Sequence, residues 1–412
     1  MPGRSTGRQI ILPLVERGTY DFTVEWGDGT SNRVGRFDSP DRCHEYGAPG
    51  TYTVRISGTI IGWQFVTNPD LDRIRRRRDT PYVCDEKKLI EVERFGCLSL
   101  GDTEAQFYRC DHLTISAADA PDLSRTRSLR LAFSRCKQLS SVPGMPLWDT
   151  SRVVTMREMF ALSPRFNQPI GEWDVSKVED MHGMFFHAKA FDQPLGGWDV
   201  SNVRDMGAMF QYAERFDQDI SRWDTRRVAT MRGMFSNAVT FDRPVGHWDT
   251  ARVTDMSQMF DSALRFNRPL HGFDTSNVTD MSEMFAYTER FDQDLSSFDT
   301  SKVTRMSGMF EGARAFDGDI GSWNTSNVRR MGRMFAFSKR FNRDISGFDT
   351  ARVRDFSWMF HHALCFKRDL GAWCISSAAD TTGMFSKRIR SYRLLPGARP
   401  SPAELHMDSM SD

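Results

Sequence analysis

The stretch "FDQDISRWDTRRVATMRGMF" (Phe216–Phe235) returns as "FDQDLSSFDTSKVTRMSGMF" (Phe291–Phe310), and weaker versions of the same phrase fill most of the chain. The Met-Phe pair that closes it stands at Met159/Phe160 and recurs every 25 residues to Met384/Phe385 without an insertion. A unit of that size with about seven apolar side chains cannot close a core alone, so units must stack and share one. In the unit opening at Phe266, the shared positions are Phe266, Leu270, Phe273, Val278, Met281, Met284 and Phe285.

Two local elements are expected in each unit. Met281, Met284 and Phe285 lie at i, i+3 and i+4, the spacing of one apolar face of a short helix, with Thr279 or Asp280 placed to cap it. The preceding "FNRPLHGF" is spaced too irregularly for a helix and contains Pro269, which favours a short extended piece with a bend. Stacking also places Asp174, Asp199, Asp224, Asp249, Asp274 and Asp299 in one column. Carboxylates one coil apart, about 5 Å, repel by roughly 0.8 kcal/mol even in water. Hydrogen bonds must offset that, and in "DTSNV" or "DVSKV" the carboxylate can accept from the N–H two residues on, an Asx-turn. Asn324 and Cys374 in the same column argue for structure over catalysis.

The phrase "FNQPIGEWDVSKVEDMHGMF" resembles the repeat of BspA-like leucine-rich-repeat surface proteins, the mycoplasma-lipoprotein type. The resemblance extends upstream, where Phe107 and Phe133 precede Phe160 at spacings of 26 and 27. Residues "YDFTVEWGDGTSNRVGRFDSPDRCHEYGAPGTYTVRISG" resemble a PKD-type domain, and their alternating stretches around "GDG" and Pro49-Gly50 read independently as strands and turns. The expected fold is a repeat solenoid of leucine-rich-repeat type, with one short strand plus a short helix per coil, preceded by a small immunoglobulin-like β-sandwich. The expected organisation is a β-sandwich over 9–66, a linker with a basic run over 67–88, degenerate first repeats over 89–147, regular repeats over 148–386 and a disordered tail over 387–412.

Formal net charge is +1, so the chain as a whole is no polycation and a charged partner must be met by a local patch. No apolar run approaches the roughly 18 residues of a membrane span. The opening "MPGRSTGRQIILPLV" lacks an apolar stretch of signal-peptide length. The resemblance implies a cell-surface or extracellular location, which the opening residues leave undecided. The 7 cysteines lack a CxxC spacing; Cys110 and Cys136, in equivalent places, read as stacked thiols or a disulfide. Histidines such as His182, His247 and His361 fall in different columns, so no metal cluster is expected. The "FDQD" segments lack the Gly and Glu positions of a calcium loop, so calcium is weighed chiefly for the β module near Asp28. "DRIRRRRD" around Arg75–Arg78 reads as a solvated linker flanked by aspartates, and no nucleic-acid partner is expected.

Recurrence marks scaffold, so recognition is sought in columns that vary. Two residues after the first Phe the chain reads Gln168, Gln193, Gln218, Arg243, Arg268, Gln293, Gly318, Arg343 and Arg368, and the non-glycine members form the candidate binding strip. Phe166 and Ile170 are four apart, so a regular strand turns Gln168 inward and a bend at Pro169 turns it outward. The expected function is a non-enzymatic recognition or adhesion module, binding protein or glycan through the solenoid face, with no cofactor and no metal. The alternative is a structural or assembly component, a spacer without its own ligand.

Overall fold

The computed structural model describes residues 6–65 and 85–386 and divides into two units, 1–202 and 203–412. The basic run at Arg75–Arg78 and the expected tail lie outside the described residues.

The first unit opens with β1 (Gln9–Ile11), β2 (Thr19–Glu25), β3 (Ser31–Val34), β4 (Cys43–Glu45) and β5 (Arg55–Ile61). β2 alternates strictly between exposed and buried residues, and its inner face contributes Tyr20, Phe22 and Val24 to a core completed by Trp26 and Val34. β2 pairs antiparallel with β3 and β5, with Phe22 opposite both Val34 and Gly58. The β2–β3 turn places Gly27 and Gly29 at φ 83° and 90°, which the "GDG" tripeptide allows. β1 and β4 form a separate antiparallel pair. Further along, β6 (Glu91–Val92) pairs parallel with β8 (Thr114–Ile115), and β7 (Leu98–Ser99) adds parallel to β5.

The expected immunoglobulin-like sandwich is therefore corrected. The sheets are not closed, and the four-stranded sheet β3-β2-β5-β7 takes its last strand from beyond residue 66.

The expected helix-plus-strand solenoid is overturned more thoroughly. Among the described residues there is no α-helix, only the 3₁₀ turns Pro40–Arg42 and Met145–Leu147. The segment read as a helix is instead where coil meets coil. In the second unit the N–H groups of Met281, Glu283, Phe285 and Tyr287 donate to the carbonyls of Arg305, Ser307, Met309 and Glu311 in the next coil, at 3.0, 2.8, 2.9 and 2.6 Å. The intervening N–H groups of Met284, Ala286 and Thr288 donate to carbonyls three residues back, at Met281, Glu283 and Phe285. The segment is thus a run of overlapping turns, with every second N–H turned to the neighbouring coil.

That alternation requires left-handed backbone at every fourth residue. Glu283 has φ 56° and Tyr287 φ 54°, values no α-helix contains. The first unit repeats the arrangement, with Met156, Glu158, Phe160 and Leu162 donating to Asp180, His182, Met184 and Phe186, and Glu158 and Leu162 at φ 52° and 58°. Pairing assignable as β reduces to single parallel bridges such as Asp280↔Arg305. The stretch expected to be the strand, "FNRPL", has no assigned strand. The bonds between coils fall on the segment read as a helix rather than on the one read as a strand, because an i, i+3, i+4 apolar pattern also faces inward along successive turns.

The core follows the predicted columns. Phe266, Leu270, Met281, Met284 and Phe285 are fully buried. Phe260, Phe285 and Phe310 stack nearly parallel with ring centroids 5.8 and 5.7 Å apart, the offset stacking that aromatic quadrupoles favour. Phe266 packs on Phe260 within the coil at 4.0 Å. Indole N–H groups add a stitch: Trp248 Nε1 donates to the Ile220 carbonyl and Trp323 Nε1 to that of Leu295, at 3.1 and 2.9 Å.

Ala208, at φ 53°, separates a turn from a helix. Ala208→Gly is expected to leave stability unchanged or raise it by up to about 1 kcal/mol, because left-handed backbone costs a residue with a Cβ about that much. In a helix the same change would lose about 1 kcal/mol, and denaturant unfolding of the variant distinguishes the two.

Candidate functional site

The strip read from the sequence faces outward. Arg243, Arg268, Arg343 and Arg368 are exposed, and Gln168, Gln193, Gln218 and Gln293 are half-buried. Their polar groups, however, are directed at the preceding coil. Arg268 Nε donates to the Asp242 carbonyl at 2.9 Å and its Nη2 to Asp242 Oδ2 at 2.8 Å. Arg243 grips Asp217 in the same way. Arg343 and Arg368 donate to the carbonyls of Asp317 and Asn342. Gln193 and Gln293 donate to the side-chain oxygens of Asn167 and Asn267, and Gln168 to the Ser140 carbonyl. At Gly318 there is no side chain, and a Cβ would meet the Gln293 carbonyl at 2.2 Å.

The column before the strip was missed in the sequence. Each Asp or Asn following the first Phe accepts a backbone N–H from the next coil: Asp217 from Asp242, Asp242 from Asn267, Asn267 from Asp292 and Asp292 from Asp317, all at 2.8–3.0 Å. The readable signal is that the column admits only Asp or Asn until Lys367 ends it. These side chains join coils where no strand does.

The aspartate column behaves as the Asx-turn reading expects. Asp174, Asp274 and Asp299 each accept the N–H two residues on, at 2.9 Å. Hydroxyl and amide donation from Ser276 holds the Asp274 carboxyl below its ordinary range, and Ser301 does the same for Asp299.

One carboxyl runs the other way. Burial pushes Asp261 up, opposed by the Ser262 and Ser236 hydroxyls and reinforced by the Glu283 and Glu311 charges. Tyr287, pushed up to about 12 by burial and by Glu311, donates to Glu311 Oε1 at 2.8 Å.

A groove in the second unit is lined by three arginines. It measures about 680 Å³ and is lined by Arg204, Arg227, Arg252, Ala229, Ala251 and Thr254, with Asn277 at one edge. Two of its lining residues, Ala229 and Ala251, have short side chains. Elsewhere in the Arg227–Arg252 column, asparagine brackets its neighbours: Asn277 Nδ2 donates to the Ala251 carbonyl at 2.8 Å, and Lys302 Nζ to Asn277 Oδ1 at 2.5 Å. Arg227 and Arg252 occupy successive coils without such an asparagine between them. Arg252 makes no side-chain hydrogen bond or ion pair among the described residues.

The remaining candidates are accounted for by their neighbours. Asp28 Oδ1 accepts from the amide and hydroxyl of Thr30, and Oδ2 lies 2.8 Å from His44 Nε2, which holds the carboxyl at about 2. No disulfide joins the described cysteines, and the buried Cys136 Sγ lies 3.1 Å from the Phe107 carbonyl. His361 and His362 do meet, rings 4.2 Å apart, beside Phe337 and Trp358.

A family model described as Mycoplasma protein of unknown function, DUF285, matches residues 102–221, 127–245, 217–304 and 288–393, together well over half of the chain. The chain belongs to the DUF285 family. The matches cover the stacked coils of this DUF285 protein and leave β1 to β5 outside them. No curated protein and no solved structure matches it. No helix among its described residues is long and apolar enough to cross a membrane.

Two predictions follow from the bonds between coils. Asp242→Ala removes the acceptor of both the Asn267 N–H and the Arg268 guanidinium, and should lower unfolding free energy by about 1–3 kcal/mol. Arg268→Ser, which leaves the amide acceptor in place, should cost less than about 1 kcal/mol. Equal losses in denaturant titrations would contradict the bracket. Asp261 generates the second. A carboxyl raised in the folded state favours the fold while protonated, and that contribution disappears as pH rises through the folded value. Asp261→Asn should therefore raise the melting temperature at neutral pH, with the gain shrinking to nothing below about pH 4. A gain independent of pH would count against the assignment.

Proposed function

We propose that this chain is a non-enzymatic recognition module whose binding face is the arginine-lined groove at Arg204, Arg227 and Arg252, taking an anionic group of a protein or glycan partner. The observation that carries the reading is the contrast between Arg252 and the arginines of the strip. Those at 243, 268 and 343 are each engaged by an aspartate of the preceding coil. Arg252 instead stands over a hollow without an acidic partner. The resemblance to BspA-like surface repeats, and of the N-terminal stretch to a PKD-type domain, supports a partner met at a cell surface. An assembly role without a ligand is the second reading, favoured by the binding strip, whose polar groups largely serve coil-to-coil contact.

The test uses the full chain with Arg227→Ser and Arg252→Ser combined, beside Arg243→Ser and Arg268→Ser combined. Binding to a panel of immobilised acidic peptides and sulfated or carboxylated glycans is measured together with melting. The groove variant should lose binding at least about tenfold with stability within about 0.5 kcal/mol of the parent. The strip variant should show the reverse. Retention of every ligand by the groove variant would favour the assembly reading.

A further inference from the structure

The groove is one end of a longer feature. In the second unit, the column that holds Arg227 and Arg252 continues through Asn277, Lys302, Asn327 and Arg352. The column two residues on runs from Arg204 through Ala229, Thr254, Thr279 and Thr304 to Arg329 and Arg354. All the cations in these two columns are exposed, and neither column contains an acidic residue between Arg204 and Arg354. In a chain with formal net charge +1, that is a marked segregation of sign. The bordering aspartates at 249, 274 and 299 are held by their own turns, so they confine an anion to the two columns.

Resting on the recognition reading above, we infer that these columns form a single linear site for an anionic polysaccharide carrying sulfate or carboxylate groups. The cations gather at the two ends, Arg204, Arg227 and Arg252 at one and Arg329, Arg352 and Arg354 at the other, with Lys302 between. Arg204 and Arg354 lie six coils apart. At about 4.8 Å per coil, that is a track of about 29 Å.

The surface discriminates among polyanions. An acidic peptide adding as a strand needs free backbone groups, but here the N–H groups of Thr254, Thr279, Thr304, Arg329 and Arg354 are all donated to the carbonyl one coil back. A single-stranded nucleic acid needs aromatic platforms for its bases, and neither column carries an aromatic residue over this span. The residues between the cations are Asn, Thr and Ala, short side chains that leave the track open and offer hydroxyl and amide groups to a hydroxyl-rich chain. A polysaccharide long enough to reach both ends gains from the second contact as an intramolecular event.

The experiment is calorimetric titration of the full chain with a length series of sulfated oligosaccharides, from a disaccharide to chains longer than the track. Affinity is expected to rise at least about tenfold once the chain spans both ends, since the second engagement carries an effective-concentration advantage. In the triple variant Arg329→Ser, Arg352→Ser and Arg354→Ser, that rise should vanish while disaccharide binding at Arg227 and Arg252 persists. No length dependence, or a rise untouched by the triple variant, overturns the linear site while leaving the groove reading intact. Single-stranded DNA of equal charge binding as tightly at the same salt overturns the polysaccharide assignment. If the parent protein binds no anionic probe at all, the groove reading falls as well. Unchanged melting of the triple variant guards against a folding effect.

Discussion

The structure depends on where alternate backbone N–H groups go. In an α-helix each N–H turns back to its own segment. Here Met281, Glu283, Phe285 and Tyr287 give theirs to the next coil, and only the residues between them bond locally. The backbone allows this because Glu283 and Tyr287 adopt left-handed φ. An N–H bonded across coils fixes the register at 25 residues, so the Phe and Met columns stack and an insertion anywhere would misplace every following side chain.

The other contacts between coils divide the perimeter among themselves. Asp and Asn after the first Phe accept a backbone N–H from the neighbour, arginine and glutamine reach back to a carbonyl, and tryptophan N–H groups do so from the interior. Each is a modest contribution, on the order of 1 kcal/mol net, but each recurs. The consequence for function is that most conspicuous polar side chains are already committed to the scaffold. On the proposed reading, the surface left for a partner lies where the pattern lapses, at Ala229 and around Arg252.

The period, the buried columns and the aspartate turns were legible from the sequence because each depends on residue type recurring at a fixed spacing. The local backbone was not, because an i, i+3, i+4 pattern of Met and Phe satisfies a helix and a chain of turns alike. The decisive hint was the position before the Met-Phe pair, where Gly183, Gly233, Gly308 and Gly383 stand in the same column as Glu158 and Arg333. Repeated glycine at one point of an apparent helix signals positive φ, and all six residues have it. The strip at Arg243 and Arg268 lies on the outside, but its polar groups serve the preceding coil, and the spacing of Phe166 and Ile170 leaves open which of the two ways Gln168 turns. The groove at Arg227 and Arg252 went unread because recognition was sought in the column two residues after the first Phe, while Arg227, Arg252, Ala229 and Ala251 lie in other columns.

If turns that give alternate N–H groups to the next coil build this protein, the bonds themselves are the thing to observe. Scalar couplings across hydrogen bonds, measured by NMR on protein selectively labelled at Glu283 and Phe285 and at the carbonyls of Ser307, Met309 and Met281, report each donor–acceptor pair directly. The account predicts correlations from Glu283 to Ser307 and from Phe285 to Met309. A correlation from Phe285 to Met281, the i−4 bond of a helix, in place of these would contradict it.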